Sequence, residues 1–111
     1  MILHITSRDR WHDAQTIGTY QGDTLETEGF IHCSKPSQVV WVANSFYRGQ
    51  SSLVLLCIDP DKVQAEIKYE GIEEGELFPH IYGALNLDAI VSVLAFEPAA
   101  DGTFTLPTLN T

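Results

Sequence analysis

Leu53-Val54-Leu55-Leu56-Cys57-Ile58 is the most hydrophobic stretch of the chain. It ends at the breaker Asp59-Pro60-Asp61. Its length and β-branched content suit a strand buried on both faces. Towards the N-terminus, Val39, Val40, Val42, Ala43, Phe46 and Tyr47 form a broad helical stripe up to Gly49. Ser34 or Ser37 with Pro36 marks its start, and Trp41 lies on its flank. Phe30 to Cys33 reads as a short strand, and Thr19 to Glu28 as a loop with Gly22 and Asp23 at turn positions and one helical turn near Leu25. Ser7 is placed to cap a helix over Arg8 to Ile17, with Gly18 ending it, and Met1 to Thr6 reads as the first strand.

Towards the C-terminus, Ile67 and Tyr69 alternate with Glu66, Lys68 and Glu70 from Ala65 onward, the pattern of a half-exposed strand. The acidic run from Glu70 to Glu76 reads as a solvated loop. Leu77 to Tyr82 is a strand, Leu85 to Ala89 a turn or short helical piece, and Ile90 to Phe96 a last long strand. In the tail from Ala99 to Thr111, Asp101-Gly102 is a turn signal expected to close a hairpin through Phe104 and Leu106. Both main helices come early and most strands late. The expected class is therefore α+β, in a single domain over residues 1–111.

Fifteen acidic residues against six basic ones give a formal charge of -9, which disfavours partnership with duplex nucleic acid or an anionic membrane. No charged leader precedes an apolar segment, and no apolar run approaches the roughly 20 residues of a spanning helix, so a soluble cytoplasmic protein is expected. Cys33 and Cys57 then read as reduced thiols. A nucleophile-base pair of Cys33 with His32 is disfavoured, because neighbouring strand residues point to opposite faces.

Three of the four histidines precede a hydroxyl by two positions: His4-Ile5-Thr6, His32-Cys33-Ser34 and His80-Ile81-Tyr82. Residues at i and i+2 share a strand face, so each segment presents an imidazole and a hydroxyl together. Around the second copy, Gly29 is read as permitting close backbone approach, and Pro79 before the third argues for a strand edge or bulge. Tyr82 is suited to stacking on a planar ring or bonding a sugar hydroxyl. His12, on the first helix, reads as a surface residue. A three-histidine metal site lacks any H-x-H or H-x-x-x-H pair and would have to be assembled wholly by the fold.

With these segments in view, the chain resembles the small bacterial family catalogued as domain of unknown function 952. The resemblance runs through Leu3-His4-Ile5-Thr6 with Trp11, Glu26 to Ser34, Phe46-Tyr47-Arg48-Gly49, Leu55 to Asp59, and Phe78-Pro79-His80-Ile81-Tyr82-Gly83-Ala84-Leu85-Asn86. It implies a fold similar to that of ADP-ribosyltransferases, which grip NAD in a cleft between the halves of a split, mostly antiparallel sheet. On that basis His4 with Thr6 corresponds to the histidine that bonds the ribose beside nicotinamide. His32 and Ser34 occupy the second motif, where related RNA phosphotransferases place a histidine. The third motif normally supplies a catalytic glutamate, and here the matching segment offers His80 and Tyr82. Glu28 substitutes for that glutamate only if its loop turns inward.

The expected site is thus a histidine-lined cleft with His4, His32 and His80 as catalytic groups and Thr6, Ser34, Tyr82, Glu28 and Arg48 as ligand-binding ones. Arg48 or Lys35 would meet pyrophosphate. NAD, ADP-ribose or a related nucleotide is the expected small-molecule partner, as a substrate rather than a resident cofactor, with ADP-ribosyl or phosphoryl transfer as the expected chemistry. A non-catalytic sensor module is the alternative, followed by a metal-dependent hydrolase.

Overall fold

The computed structural model describes residues 1–22, 24–73 and 76–109, with Ile72 and Glu73 described by their backbone alone. Its centre is the hydrophobic stretch already singled out. Strand β4 (Leu53–Ile58) is buried at all six positions. It lies between β1 (Ile2–Ser7) and β8 (Ile90–Phe96), antiparallel to both. Alternation along β4 divides the interior in two. Leu53, Leu55 and Cys57 join Leu3, Ile5, Val39, Ala43, Phe96 and Phe104 in one core. Val54, Leu56 and Ile58 join Ile2, Ala14, Ile31 and Ile81 in the other. The sheet is therefore sandwiched, and a purely apolar strand is what such a position requires.

Helix α1 (Arg8–Ile17) is set by its ends, as the sequence predicts. The Ser7 hydroxyl accepts from the Arg10 N–H at 3.1 Å, and Gly18 closes the last turn at φ 101°. The helical turn near Leu25 is α2 (Leu25–Glu28). Gly29 ends it at φ 87° with its N–H on the Leu25 carbonyl, and a Cβ there would meet nothing within 4 Å. Its role is thus the left-handed helix cap rather than the expected close approach. Helix α3 (Val39–Phe46) begins later than Ser34 or Ser37. The Gln38 side chain bonds the Lys35 N–H, the Leu77 carbonyl and Glu76, which ties the turn before α3 to a neighbouring strand. Trp41 is 60% exposed on α3, as its place on the flank of the stripe implies.

A second sheet runs β3 (Ile31–His32), β6 (Glu76–Tyr82), β5 (Glu66–Glu73), all antiparallel. β5 takes in Glu70 to Glu73 of the run read as a loop and β6 takes in Glu76, while Glu74 and Gly75 lie outside the described residues. The two sheets meet at an antiparallel bridge, where Leu3 and Ser34 exchange backbone bonds of 2.8 and 2.7 Å. Within the predicted 19–28 loop, β2 (Thr19–Tyr20) pairs with β7 (Leu85–Asn86), and Asp23 lies outside the described residues.

The expected terminal hairpin does not form among residues 97–109. The turn itself is present, with the Gly102 N–H on the Ala99 carbonyl. Phe104 then stacks on Phe96 at 4.8 Å between ring centroids, and its N–H donates to Asn44 Oδ1 at 2.7 Å. Burial of one aromatic ring and a side-chain acceptor on α3 take the place of strand pairing. Cys33 and Cys57 are buried and free, and burial pushes the Cys33 thiol up, away from the reactive thiolate. Among the described residues no helix is long and apolar enough to cross a membrane.

Leu55→Ala empties a fully enclosed position in the central strand and is expected to cost about 2–5 kcal/mol of unfolding free energy in a urea titration. Trp41→Ala, on the exposed flank of α3, is expected to change it by no more than about 0.5 kcal/mol. A loss at Trp41 matching that at Leu55 would refute the exposed placement.

Candidate functional site

The second sheet has two unlike faces, and strand alternation explains both. Its inner face carries Ile31, Cys33, Ile67 and Ile81 into the core. By the same alternation the opposite face carries Phe30, His32, Lys68, Glu70, His80 and Tyr82. The register aligns them: His32 lies directly across from His80, and His80 directly across from Lys68.

His80 is the buried centre of this face. Its Nδ1–H donates to Glu70 Oε1 at 3.0 Å, and the Tyr82 hydroxyl donates to the same oxygen. Phe30 stacks on the His80 ring, 4.2 Å between centroids and 22° between planes, and reaches Tyr82 at 5.1 Å. The His32 ring stands 5.3 Å from His80, edge-on, with its Nε2 bonded to Glu28 Oε2 at 3.2 Å. Lys68 Nζ sits 4.8 Å above the Tyr82 ring, within cation–π range. Each histidine is held by a carboxylate at one nitrogen, which leaves His80 Nε2 and His32 Nδ1 as the nitrogens for a ligand.

Glu70 is the residue that the sequence reading misses, placed there at the edge of a solvated loop. The alternation of Glu66, Lys68 and Glu70 against Ile67 and Tyr69 is the signal that could have found it. Phe30 and Lys68 belong to the same face and are likewise not singled out by sequence.

The other expected site residues are dispersed. His4 and Thr6 do share a face, and both bond the hydroxyl of Tyr20, at 2.6 Å from His4 Nε2 and 2.9 Å from Thr6 Oγ1. That unit is buried beneath the second sheet and is linked to it through the backbone, where His4 Nδ1–H donates to the His32 carbonyl at 2.5 Å. Ser34 is buried at the bridge to Leu3, because the strand ends at His32 and the chain turns inward. Arg48 follows α3, against the turn at Gly102 and near Asp101. The backbone N–H of Lys35 is taken by Gln38. A cleft of about 240 Å³ opens between α1 and β2, lined by Arg10, Asp13, Ile17, Tyr20 and Gln21 with none of the three histidines. Among the described residues no group of three His, Cys, Asp or Glu side chains is placed to hold a metal ion.

The Tyr82 hydroxyl, followed by His80, holds the Glu70 carboxyl below its ordinary 4.5, and the same bond holds the Tyr82 phenol above its ordinary 10.0. A lowered carboxyl contributes stability above its ordinary pKa and loses it as the pH falls through the folded value. A raised phenol contributes stability below its ordinary pKa and loses it as the pH rises through the folded value. The Glu70–Tyr82 bond is therefore complete between the two ordinary values. In an NMR titration of the Tyr82 Cζ resonance, ionisation is expected above the ordinary tyrosine range and is expected to fall back toward it in Glu70→Gln. An unchanged midpoint would show that the two groups are not coupled.

The family model for a protein of unknown function, DUF952, matches residues 5–93, a span that holds every residue of the outer face named above. The crystal structure of protein CC0527 from Caulobacter crescentus has a TM-score of 0.87 at 32% identity, covering 95% of this chain and 93% of that one. The crystal structure of a double mutant of CC0527 gives the same values. The solution NMR structure of CC0527 has a TM-score of 0.80 at 32% identity, covering 92% of this chain and 89% of that one. None of the curated proteins compared with the chain matches it. The chain belongs to the DUF952 family of proteins of unknown function.

Proposed function

We propose that the outer face of β3, β6 and β5 binds NAD, ADP-ribose or a related nucleotide, and that His32 and His80 move protons in the transfer or processing of an ADP-ribosyl or phosphoryl group. One observation carries the reading: Glu70 is bonded by both His80 and Tyr82, with a second histidine 5.3 Å away and Phe30 stacked alongside. The resemblance to ADP-ribosyltransferases supports it, as does an α+β architecture of antiparallel strands in which two three-stranded sheets meet at the Leu3–Ser34 bridge, beside a two-stranded pair of β2 and β7. In those enzymes a glutamate faces the ribose, and Glu70 is the carboxylate that takes this role here.

The chemistry follows from the side chains. Phe30 and Tyr82 offer flat surfaces for a base or a nicotinamide ring. Lys68, rather than Arg48, takes the pyrophosphate role. In phosphoryl transfer, one histidine takes the proton of the attacking hydroxyl as its oxygen bonds to phosphorus, and the other gives a proton to the departing oxygen. In ADP-ribosyl transfer, the nicotinamide nitrogen leaves the ribose carbon with the bonding electron pair, the acceptor bonds to that carbon, and Glu70 opposes the positive charge that develops.

A second reading, a binding or sensor module without turnover, is favoured by one detail. Glu70 Oε1 already accepts two bonds from within the face, so the carboxylate orders the site itself.

A thermal-shift series with NAD, ADP-ribose, ADP and nicotinamide is expected to raise the melting temperature. A nucleotide at ten times its Kd contributes about 1.4 kcal/mol, or roughly 6 °C for a domain of this size. His80→Ala and Phe30→Ala are expected to abolish the shift. No shift with any of the four would overturn the nucleotide reading. With binding shown, chromatography of the incubated nucleotide separates the two readings: consumption that falls by about 10²–10⁴-fold in His32→Ala marks an acid–base role, whereas an unchanged nucleotide marks the sensor module.

A further inference from the structure

We infer that His4 is a positioning residue that acts through His32, and that it does not touch the ligand. The inference deepens the reading of the outer face given above and rests on it for what the ligand is.

Both ring nitrogens of His4 are engaged within the protein. Nδ1 lies 2.5 Å from the His32 carbonyl oxygen, and Nε2 lies 2.6 Å from the Tyr20 hydroxyl, which also bonds Thr6 Oγ1 at 2.9 Å. A carbonyl only accepts, so Nδ1 is the protonated nitrogen at that bond. The Tyr20 ring meets the imidazole edge-on, 5.1 Å between centroids, and fixes its tilt. His4, Thr6 and Tyr20 are all buried, whereas the His32 side chain is 46% exposed.

The location of the bond gives it a purpose. β3 is paired over only two residues, Ile31 and His32, before the chain crosses to the first sheet at Ser34. The N–H groups of Cys33 and Ser34 are taken by Pro79 and Leu3. The His32 carbonyl, at the end of so short a strand, is held from beneath by His4. Fixing that peptide fixes the Cα–Cβ direction of His32, and with it the distance from its ring to His80. An imidazole is suited to the task because it donates at one nitrogen while a rigid ring carries the restraint to a second anchor at Tyr20. The i, i+2 pairing of His4 with Thr6 seen in the sequence is thus part of a brace under the site.

Two substitutions separate this role from ligand contact. The carboxamide nitrogen of His4→Asn is placed near Nδ1 and keeps a donor for the His32 carbonyl. That of His4→Gln is placed near Nε2 and keeps only the Tyr20 bond. The readout is NMR of the ligand-free protein, following the His32 carbonyl carbon and ring resonances, with overall folding checked by amide dispersion. In His4→Gln the His32 carbonyl and ring signals are expected to move well beyond the linewidth. In His4→Asn they are expected to stay near the wild-type positions.

Unmoved signals in both variants, or equal movement in both, would overturn the inference. If neither variant folds, Tyr20→Phe removes one oxygen and with it the Tyr20 bond at His4 Nε2. The His32 carbonyl signal is then expected to broaden or shift, and an unchanged signal would count against the brace. A titration with ADP-ribose adds the last arm: loss of binding in His4→Asn with His32 signals unmoved would place His4 against the ligand. The ligand-free arms are decided whether or not the face binds a nucleotide.

Discussion

The residues from Ile31 to Ser34 belong to two sheets at once, and the rest of the molecule is arranged around that sharing. Ile31 and His32 pair with β6, the Cys33 N–H bonds the Pro79 carbonyl, and Ser34 exchanges both backbone bonds with Leu3 on β1. A strand this short holds little by itself, since each backbone bond contributes about 0.5–1.5 kcal/mol net. Ile31 and Cys33 are buried between the sheets and anchor the segment from the inside. The even-numbered neighbours, Phe30 and His32, are thereby turned outward.

The same alternation accounts for the contrast between the two faces of the second sheet. Its inner face meets the core formed with Val54, Leu56 and Ile58, where polar groups would have to be desolvated without compensation. Its outer face is free to carry two histidines, Glu70, a tyrosine and a lysine, while the second carboxylate partner, Glu28, reaches His32 from α2. The polar groups bond one another, and Glu70 is shared between His80 and Tyr82. A face whose side chains are oriented in advance suits a ligand that must be bonded at defined nitrogens.

Much of this architecture was legible in the sequence wherever the cause was local. Helix α1 follows from Ser7 and Gly18, whose capping bonds involve only near neighbours in the chain. β4 follows from six consecutive apolar residues. The pairing of His4 with Thr6 and of His80 with Tyr82 follows from the two-residue period of a strand, and in each pair both members bond one partner, Tyr20 or Glu70. The second copy, His32 with Ser34, behaves differently, because β3 ends at His32 and leaves Ser34 at the bridge.

The partners themselves were not legible. Glu70 sits ten residues from His80 and Tyr20 sixteen from His4, and what brings each pair together is strand register or contact between layers. The sequence by itself determined the two longer helices, the longer strands, the two-sided burial of β4 and the identity of the histidine segments, because backbone geometry and side-chain period act over a few residues. The tertiary structure decided that His32 and His80 converge while His4 lies beneath them, that Glu70 is the carboxylate bonded to His80 and Tyr82, and that Arg48 lies against the turn at Gly102. Those outcomes depend on which strand edges meet, and strand pairing is fixed by burial summed over the whole chain rather than by any local stretch.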